Sequence, residues 1–121
     1  MTPIVIRDML PHEADRVGQL HNQIHALHVN GRPDWFRPNY DNSADMMRWF
    51  ADQSNSRVLV AVREDAILGY AVIDYLIREA SPYSLPRRCV HVQEICVDEA
   101  AKRCGAGRAL MEYIYEDARQ R

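Results

Sequence analysis

A chain of 121 residues has room for one domain built around a single core, and not for two. Its 47% apolar content and formal net charge of −2 are those of an ordinary globular protein, and they argue against nucleic-acid binding through bulk charge. No apolar run approaches the ~20 residues of a membrane-spanning helix, so no membrane partner is expected, and the N-terminal stretch Met1-Thr2-Pro3-Ile4-Val5-Ile6-Arg7 lacks the long apolar segment of a signal peptide.

Ile4-Val5-Ile6-Arg7 reads as a short first strand. From about Pro11 to Val29, apolar residues recur at Ala14, Val17, Leu20, Ile24 and Leu27, a spacing that marks one face of a helix. Asn30-Gly31 is its stop, because both residues tolerate a left-handed cap. The turn-rich stretch from Arg32 to Asn39 follows, and Ser43 is placed to cap a second helix with Met46, Trp49, Phe50 and Gln53 along one side. The β-branched run Arg57 to Arg63 is a strand, and Glu64-Asp65 a tight turn. Ile67 to Leu76 is a strand antiparallel to it, since so few residues separate the two. Arg78 to Arg88 is a loop with two prolines, Cys89 to Val97 the next strand, and Gly107 to about Arg119 the last helix.

The most informative segment joins those last two elements. The strand end Ile95-Cys96-Val97 runs through a short charged turn into Lys102-Arg103-Cys104-Gly105-Ala106-Gly107-Arg108 and straight into the helix. Such a junction aims backbone N–H groups and the positive end of a helix dipole at one point, which favours a phosphate or pyrophosphate. Glycines at 105 and 107 permit close approach of a ligand to the backbone. A lone Gly-x-Gly is a weak signal, but it gains weight from its strand-to-helix setting and basic neighbours.

The stretch from Val92 to Leu110 resembles the acetyl-CoA-binding core of the GNAT superfamily of N-acetyltransferases. That signature is Arg or Gln, two residues, Gly, one residue, then Gly or Ala, and it falls here on Lys102, Gly105 and Gly107. Lysine at the first position keeps the charge but loses the planar fork. The resemblance implies an α/β fold in which helices flank a mixed, mostly antiparallel sheet, in the order β-α-α-β-β-β-α. It implies acetyl-CoA as co-substrate, a small-molecule or peptide amine as acceptor, and no metal. Backbone groups of Ile95, Cys96 and Val97 would meet the pantetheine arm, and Lys102, Arg103, Cys104, Gly105, Ala106, Gly107 and Arg108 the pyrophosphate. Superfamily members usually continue with further strands and a helix, which close the cofactor cleft and often carry a tyrosine that protonates the leaving thiolate. The expectation is therefore a single GNAT-like domain over residues 1–121, cut short after the pyrophosphate-loop helix. It is either a piece of a longer domain or a protomer completed by a partner chain, for instance in a homodimer.

Amine acetylation needs an uncharged amine, hence a base to take its proton. Glu94 is the candidate by position, on the strand just ahead of the cofactor segment. Simple alternation points Gln93 and Glu94 to opposite faces, with His91 on the face of Gln93. His21, His25 and His28 have helical spacing that would suit a metal, yet no carboxylate or cysteine joins them locally, so a partly buried helix edge is the favoured reading. In the superfamily the first helix and the loop after it line the acceptor side, which nominates His25, His28, Arg32, Asp34, Trp35 and Phe36 for acceptor contact. Trp35-Phe36 reads equally well as a core plug. Cys104 has no nearby His or Asp to make it a nucleophile. Cys89, Cys96 and Cys104 cannot all pair, which suits a reduced, cytoplasmic protein. The function expected is acetyl transfer to an amine by direct attack. The alternatives are a non-catalytic acyl-CoA-binding or regulatory module and a half-domain completed by a partner.

Overall fold

The computed structural model describes residues 2–35 and 42–121. Strand β1 (Val5–Asp8) leads through a 3₁₀ turn at Pro11–Glu13 into helix α1 (Ala14–Gly31), followed by α2 (Ser43–Asp52). Strands β2 (Ser56–Arg63), β3 (Ala66–Arg78) and β4 (Arg87–Val97) come next, and a second 3₁₀ turn at Glu99–Ala101 precedes α3 (Ala106–Gln120). The order β-α-α-β-β-β-α is the expected one. The four strands form one sheet in chain order, each pair antiparallel.

Helices cover both faces of this sheet. Ala14, Val17 and Leu20 of α1 and Met47 of α2 pack on Val58, Val60, Tyr70, Val72 and Cys96. On the opposite face Ala106, Leu110 and Ile114 of α3, one per turn, pack on Leu59, Ala61, Ala71 and Ile73. Strand β2 therefore reads as an unbroken apolar run, because Val58 to Ala61 are buried whichever way they point. The Glu64-Asp65 turn carries φ of 49° and 66°, the geometry whose twist suits a two-residue hairpin.

The two helices on the first face cross closely. A Cβ at Gly18 would stand 2.8 Å from the backbone nitrogen of Ala44, so only glycine fits there. This crossing corrects the expectation for Ser43. The helix begins with Asn42 in the capping position, and Ser43 is buried, donating its hydroxyl to Asn22 Oδ1 of α1 at 2.6 Å. Once packed under α1, the hydroxyl serves the neighbouring helix in place of its own N-terminus. The buried side of α2 runs through Ser43 and Met47, with Met46 and Phe50 beside them, while Trp49 is exposed.

A bulge in the β3–β4 ladder decides what faces the site. Glu94 lies opposite Val72 but Val92 lies opposite Ile73, so Gln93 is an extra residue in β4. That insertion shifts the alternation. His91 pairs with Asp74 and thus shares the face of Glu94 and Cys96, contrary to the simple alternation that grouped it with Gln93. Among the described residues, no strand pairs with the outer edge of β4.

Candidate active site

A cleft of about 540 Å³ opens where β4 gives way to α3. Ile95, Cys96 and Val97 border it on one side, and Gln23, Ile24 and Leu27 of α1 face them across it. Lys102, Arg103 and Gly105 line its floor, and Ala106, Gly107 and Arg108 its end. The structure thus gathers nine of the ten residues nominated for cofactor contact into one cavity. Cys104 is the exception: its side chain packs with the α3-side core and its N–H is taken by the Ala101 carbonyl at 3.3 Å. The turn that frees its neighbours points this residue inward.

The strand edge contributes main-chain groups selectively. The Asp98 N–H donates to the Leu68 carbonyl of β3 at 2.8 Å. Antiparallel alternation then turns the main chain of Cys96 toward Tyr70 and those of Ile95 and Val97 outward. Of the three residues expected to offer backbone to a ligand, Cys96 spends its own on the sheet. A close approach holds this strand in place, since a Cβ at Gly69 would lie 2.7 Å from the Cys96 carbonyl oxygen. Burial, reinforced by nearby Glu94, pushes the Cys96 thiol up to about 11, so it stays protonated and is no nucleophile.

The turn into α3 is tied down from below. Asp98 accepts from Arg16 at 2.5 Å, from Gln23 at 3.2 Å and from the Ala100 N–H at 3.1 Å. These donors, Arg16 first, hold its carboxyl below the usual carboxylate range. Gln23 also accepts from the Glu99 N–H at 3.1 Å, which fastens the loop to α1. Arg103 and Gly105 take left-handed φ values of 69° and 92°. The first intrahelical bond of α3 runs from Ala109 N–H to the Gly105 carbonyl at 3.0 Å. The amides of Ala106, Gly107 and Arg108 precede it and have no intrahelical acceptor. Among the described residues no other backbone acceptor takes them. Nor does packing require glycine at 107: a Cβ there meets only Val97 Cγ2, at an ordinary 3.5 Å. Lys102 pairs with Glu99 and Arg108 with Glu112, whereas Arg103 lines the cleft with no ion-pair partner among the described residues.

Glu94 lies along β4 from this cleft, on the face of Cys96. Its Oε1 receives Tyr70 Oη and stands 2.6 Å from Nδ1 of His21 on α1. His21 and Tyr70 are buried, and the Glu94 side chain is 19% exposed. No described residue donates to Oε2, and that oxygen is not sealed from solvent. His25 stacks on His21 with ring centroids 5.7 Å apart. Arg32 instead forms a local clamp after α1, paired with Asp34 at 3.1 Å and lying 4.8 Å over the Trp35 ring. Trp35 is 69% exposed and so is no core plug, His28 is exposed on α1, and Phe36 lies outside the described residues. Tyr70 and the α1 wall of the cleft were not nominated from sequence, and His21 reads there only as part of a metal set or a partly buried helix edge, not as a partner of Glu94. His21 and Glu94 are 73 residues apart, and nothing local signals their meeting.

The sequence profile of the acetyltransferase (GNAT) family matches residues 21–121, the span that includes this whole arrangement. The chain belongs to the GNAT acetyltransferase family. Among GNAT-like structures, a single-site mutant of the BH1408 protein from Bacillus halodurans is 30% identical, with a TM-score of 0.86 over 96% of this chain and 75% of that one. An acetyltransferase from Vibrio fischeri is 21% identical, with a TM-score of 0.75 over 96% and 87%. An aminoglycoside acetyltransferase from an uncultured soil metagenomic sample, solved with sisomicin, is 19% identical, with a TM-score of 0.67 over 97% and 70%. The latter two likenesses are of fold alone. No curated protein matches the chain. Among the described residues no group of His, Cys, Asp and Glu is arranged to hold a metal, and no helix is long and apolar enough to cross a membrane.

Proposed function

We propose that this GNAT-like domain binds acetyl-CoA and transfers its acetyl group to a primary amine. The observation that carries the reading is the set of unbonded amides at Ala106, Gly107 and Arg108, opening on a cleft that the outward main chain of Ile95 and Val97 borders. Three amides at a helix N-terminus suit a diphosphate, and Arg103, with no ion-pair partner among the described residues, adds a cation beside them. Free strand-edge groups suit the amide-bearing pantetheine arm, which extends a sheet as a peptide would. The bare Cα of Gly107 keeps the approach open. Three free cysteines suit a reducing, cytoplasmic setting.

The chemistry asked of the chain follows. An acceptor ammonium gives one proton to Glu94, which passes it on to solvent, and the nitrogen lone pair then attacks the thioester carbon. The C–N bond forms, the C–S bond breaks, and the second nitrogen proton ends on the departing sulfur. An outward N–H of Ile95 or Val97 is positioned to polarise the carbonyl, a contribution of several kcal/mol where alignment is good. His25 and His28, with Arg32 and Trp35 beyond them, flank the acceptor approach along α1. Calorimetric titration with coenzyme A, followed by thiol release from acetyl-CoA across a panel of amines, tests the reading. Binding with turnover upholds it. Binding without turnover leaves an acyl-CoA-binding module, and the absence of both refutes the cleft assignment.

A further inference from the structure

The contacts around Glu94 go beyond naming a base. A carboxylate that must accept a proton from a substrate works best when its rotation is stopped and one oxygen alone is offered. Here both donors converge on the same oxygen, Oε1: Tyr70 Oη from the middle of β3, and His21 Nδ1 at 2.6 Å from α1. Neither donor has slack. Tyr70 is fully buried, His21 is 8% exposed, and Tyr70 Oη lies 3.4 Å from His21 Nδ1, so the three groups brace one another. Regular pairing of Glu94 with Val72 and of Cys96 with Tyr70 turns Glu94 to the face of Tyr70, where it meets both donors.

The tautomer follows from the geometry. Oε1 of a carboxylate only accepts, so an imidazole nitrogen 2.6 Å away must carry a hydrogen. Nδ1 is therefore the protonated nitrogen. Oε2, with no donor among the described residues and contact with solvent, is left to take up a proton. We propose that His21 and Tyr70 are positioning residues that clamp Oε1 of Glu94, so that Oε2 alone receives the acceptor's proton. The step is a simple transfer: the N–H bond of the ammonium breaks, an O–H bond forms at Oε2, and the nitrogen keeps the electron pair. His21 and Tyr70 gain and lose no proton. The proposal rests on the acetyltransferase reading with Glu94 as base.

The test is a set of variants assayed for thiol release from acetyl-CoA, using whichever of spermidine, kanamycin, lysine or an alanine-terminated peptide the wild type turns over fastest. Glu94→Gln should lower kcat about 100-fold, the scale of lost general-base catalysis. His21→Leu should lower kcat about tenfold, the worth of one hydrogen bond to a charged group, with coenzyme A affinity within twofold of wild type. His21→Asn, which retains a donor near the Nδ1 position, should recover most of that loss, and Tyr70→Phe should resemble His21→Leu. In the Glu94→Gln background, His21→Leu should change kcat less than twofold, a coupling that a structural role would not produce. A full tenfold additive loss in that background, or no rescue by Asn, overturns the clamp while leaving Glu94 as base. If Glu94→Gln is harmless, Glu94 is not the base and the clamp falls with it, while the transfer activity stands; if wild type acetylates none of the amines, the acetyltransferase reading itself fails. Independently of turnover, ¹⁵N NMR should find His21 protonated at Nδ1, and a neutral Nε2–H tautomer in the wild type would refute the geometry.

Discussion

Gly107→Val separates ligand binding from folding. Helical Cα–Cβ bonds tilt toward the N-terminus, so a branched side chain at 107 projects over the turn where the amides of Ala106, Gly107 and Arg108 converge. The protein itself has room for it, since the new Cβ meets only Val97 Cγ2 at 3.5 Å. Gly107 also has no left-handed φ to preserve. Valine is a slightly better helix former than glycine, so folding stability should stay level or rise by a few tenths of a kcal/mol. Binding should suffer. Hydrogen bonds from amides to a charged diphosphate are worth roughly 1.5–3 kcal/mol each. Screening one fully, or two in part, costs about 3 kcal/mol, roughly a 150-fold rise in Kd. Calorimetric titration with coenzyme A reads the affinity and a thermal melt reads the fold. Gly105→Ala is the counterpart: its φ of 92° is left-handed, and alanine there should cost about 1–2 kcal/mol of stability. Unchanged coenzyme A affinity in a fully folded Gly107→Val protein would refute the diphosphate assignment.

Gly18→Ala should destabilise by about 1–3 kcal/mol, because its Cβ would stand 2.8 Å from the Ala44 backbone nitrogen. Gly31→Ala, with nothing within 4 Å, should be neutral or better in the same urea titration. Arg103→Gln should weaken coenzyme A about tenfold at low salt and by less as salt is raised, which a titration series at increasing chloride would show. Glu13 accepts a bidentate pair from Arg7 at 2.8 Å, which holds its carboxyl at about 2 in place of the ordinary 4.5. A depressed carboxyl lends its stability above the unfolded value and loses it as pH falls toward the folded one. Glu13→Gln should therefore cost about 1 kcal/mol at pH 7, after discounting for solvent screening, and progressively less from about pH 4.5 down to 2. Urea melts at several pH values measure it, and a difference that persists at pH 2 would contradict the assignment.

Much of this architecture is legible in short windows of the chain. The stripe from Ala14 to Ile24, the apolar run at Val58 to Ala61, the Glu64-Asp65 turn and the glycines at 105 and 107 each depend on neighbours a few residues away. Helical and strand periodicity, turn dihedrals and the unbonded amides of a helix start are local properties, so the sequence alone carries them. The glycine turn ahead of α3 was legible for that reason. Its inward residue, Cys104, was not, because which side of a turn is buried depends on what packs beneath it.

The carboxylate's surroundings belong to the other category. His21, Tyr70 and Glu94 come from a helix and two strands, and only the packing of α1 on the sheet brings them together. One extra residue, Gln93, reverses the facing of His91, and no composition rule marks a bulge there. Ser43 gives its hydroxyl to α1 because Gly18 lets the helices close. The sequence by itself determined the elements and the glycine turn with its unbonded amides, through interactions between near neighbours along the chain. Tertiary structure decided which side chains meet across it, since burial and register are settled by contacts that form only when distant segments pack.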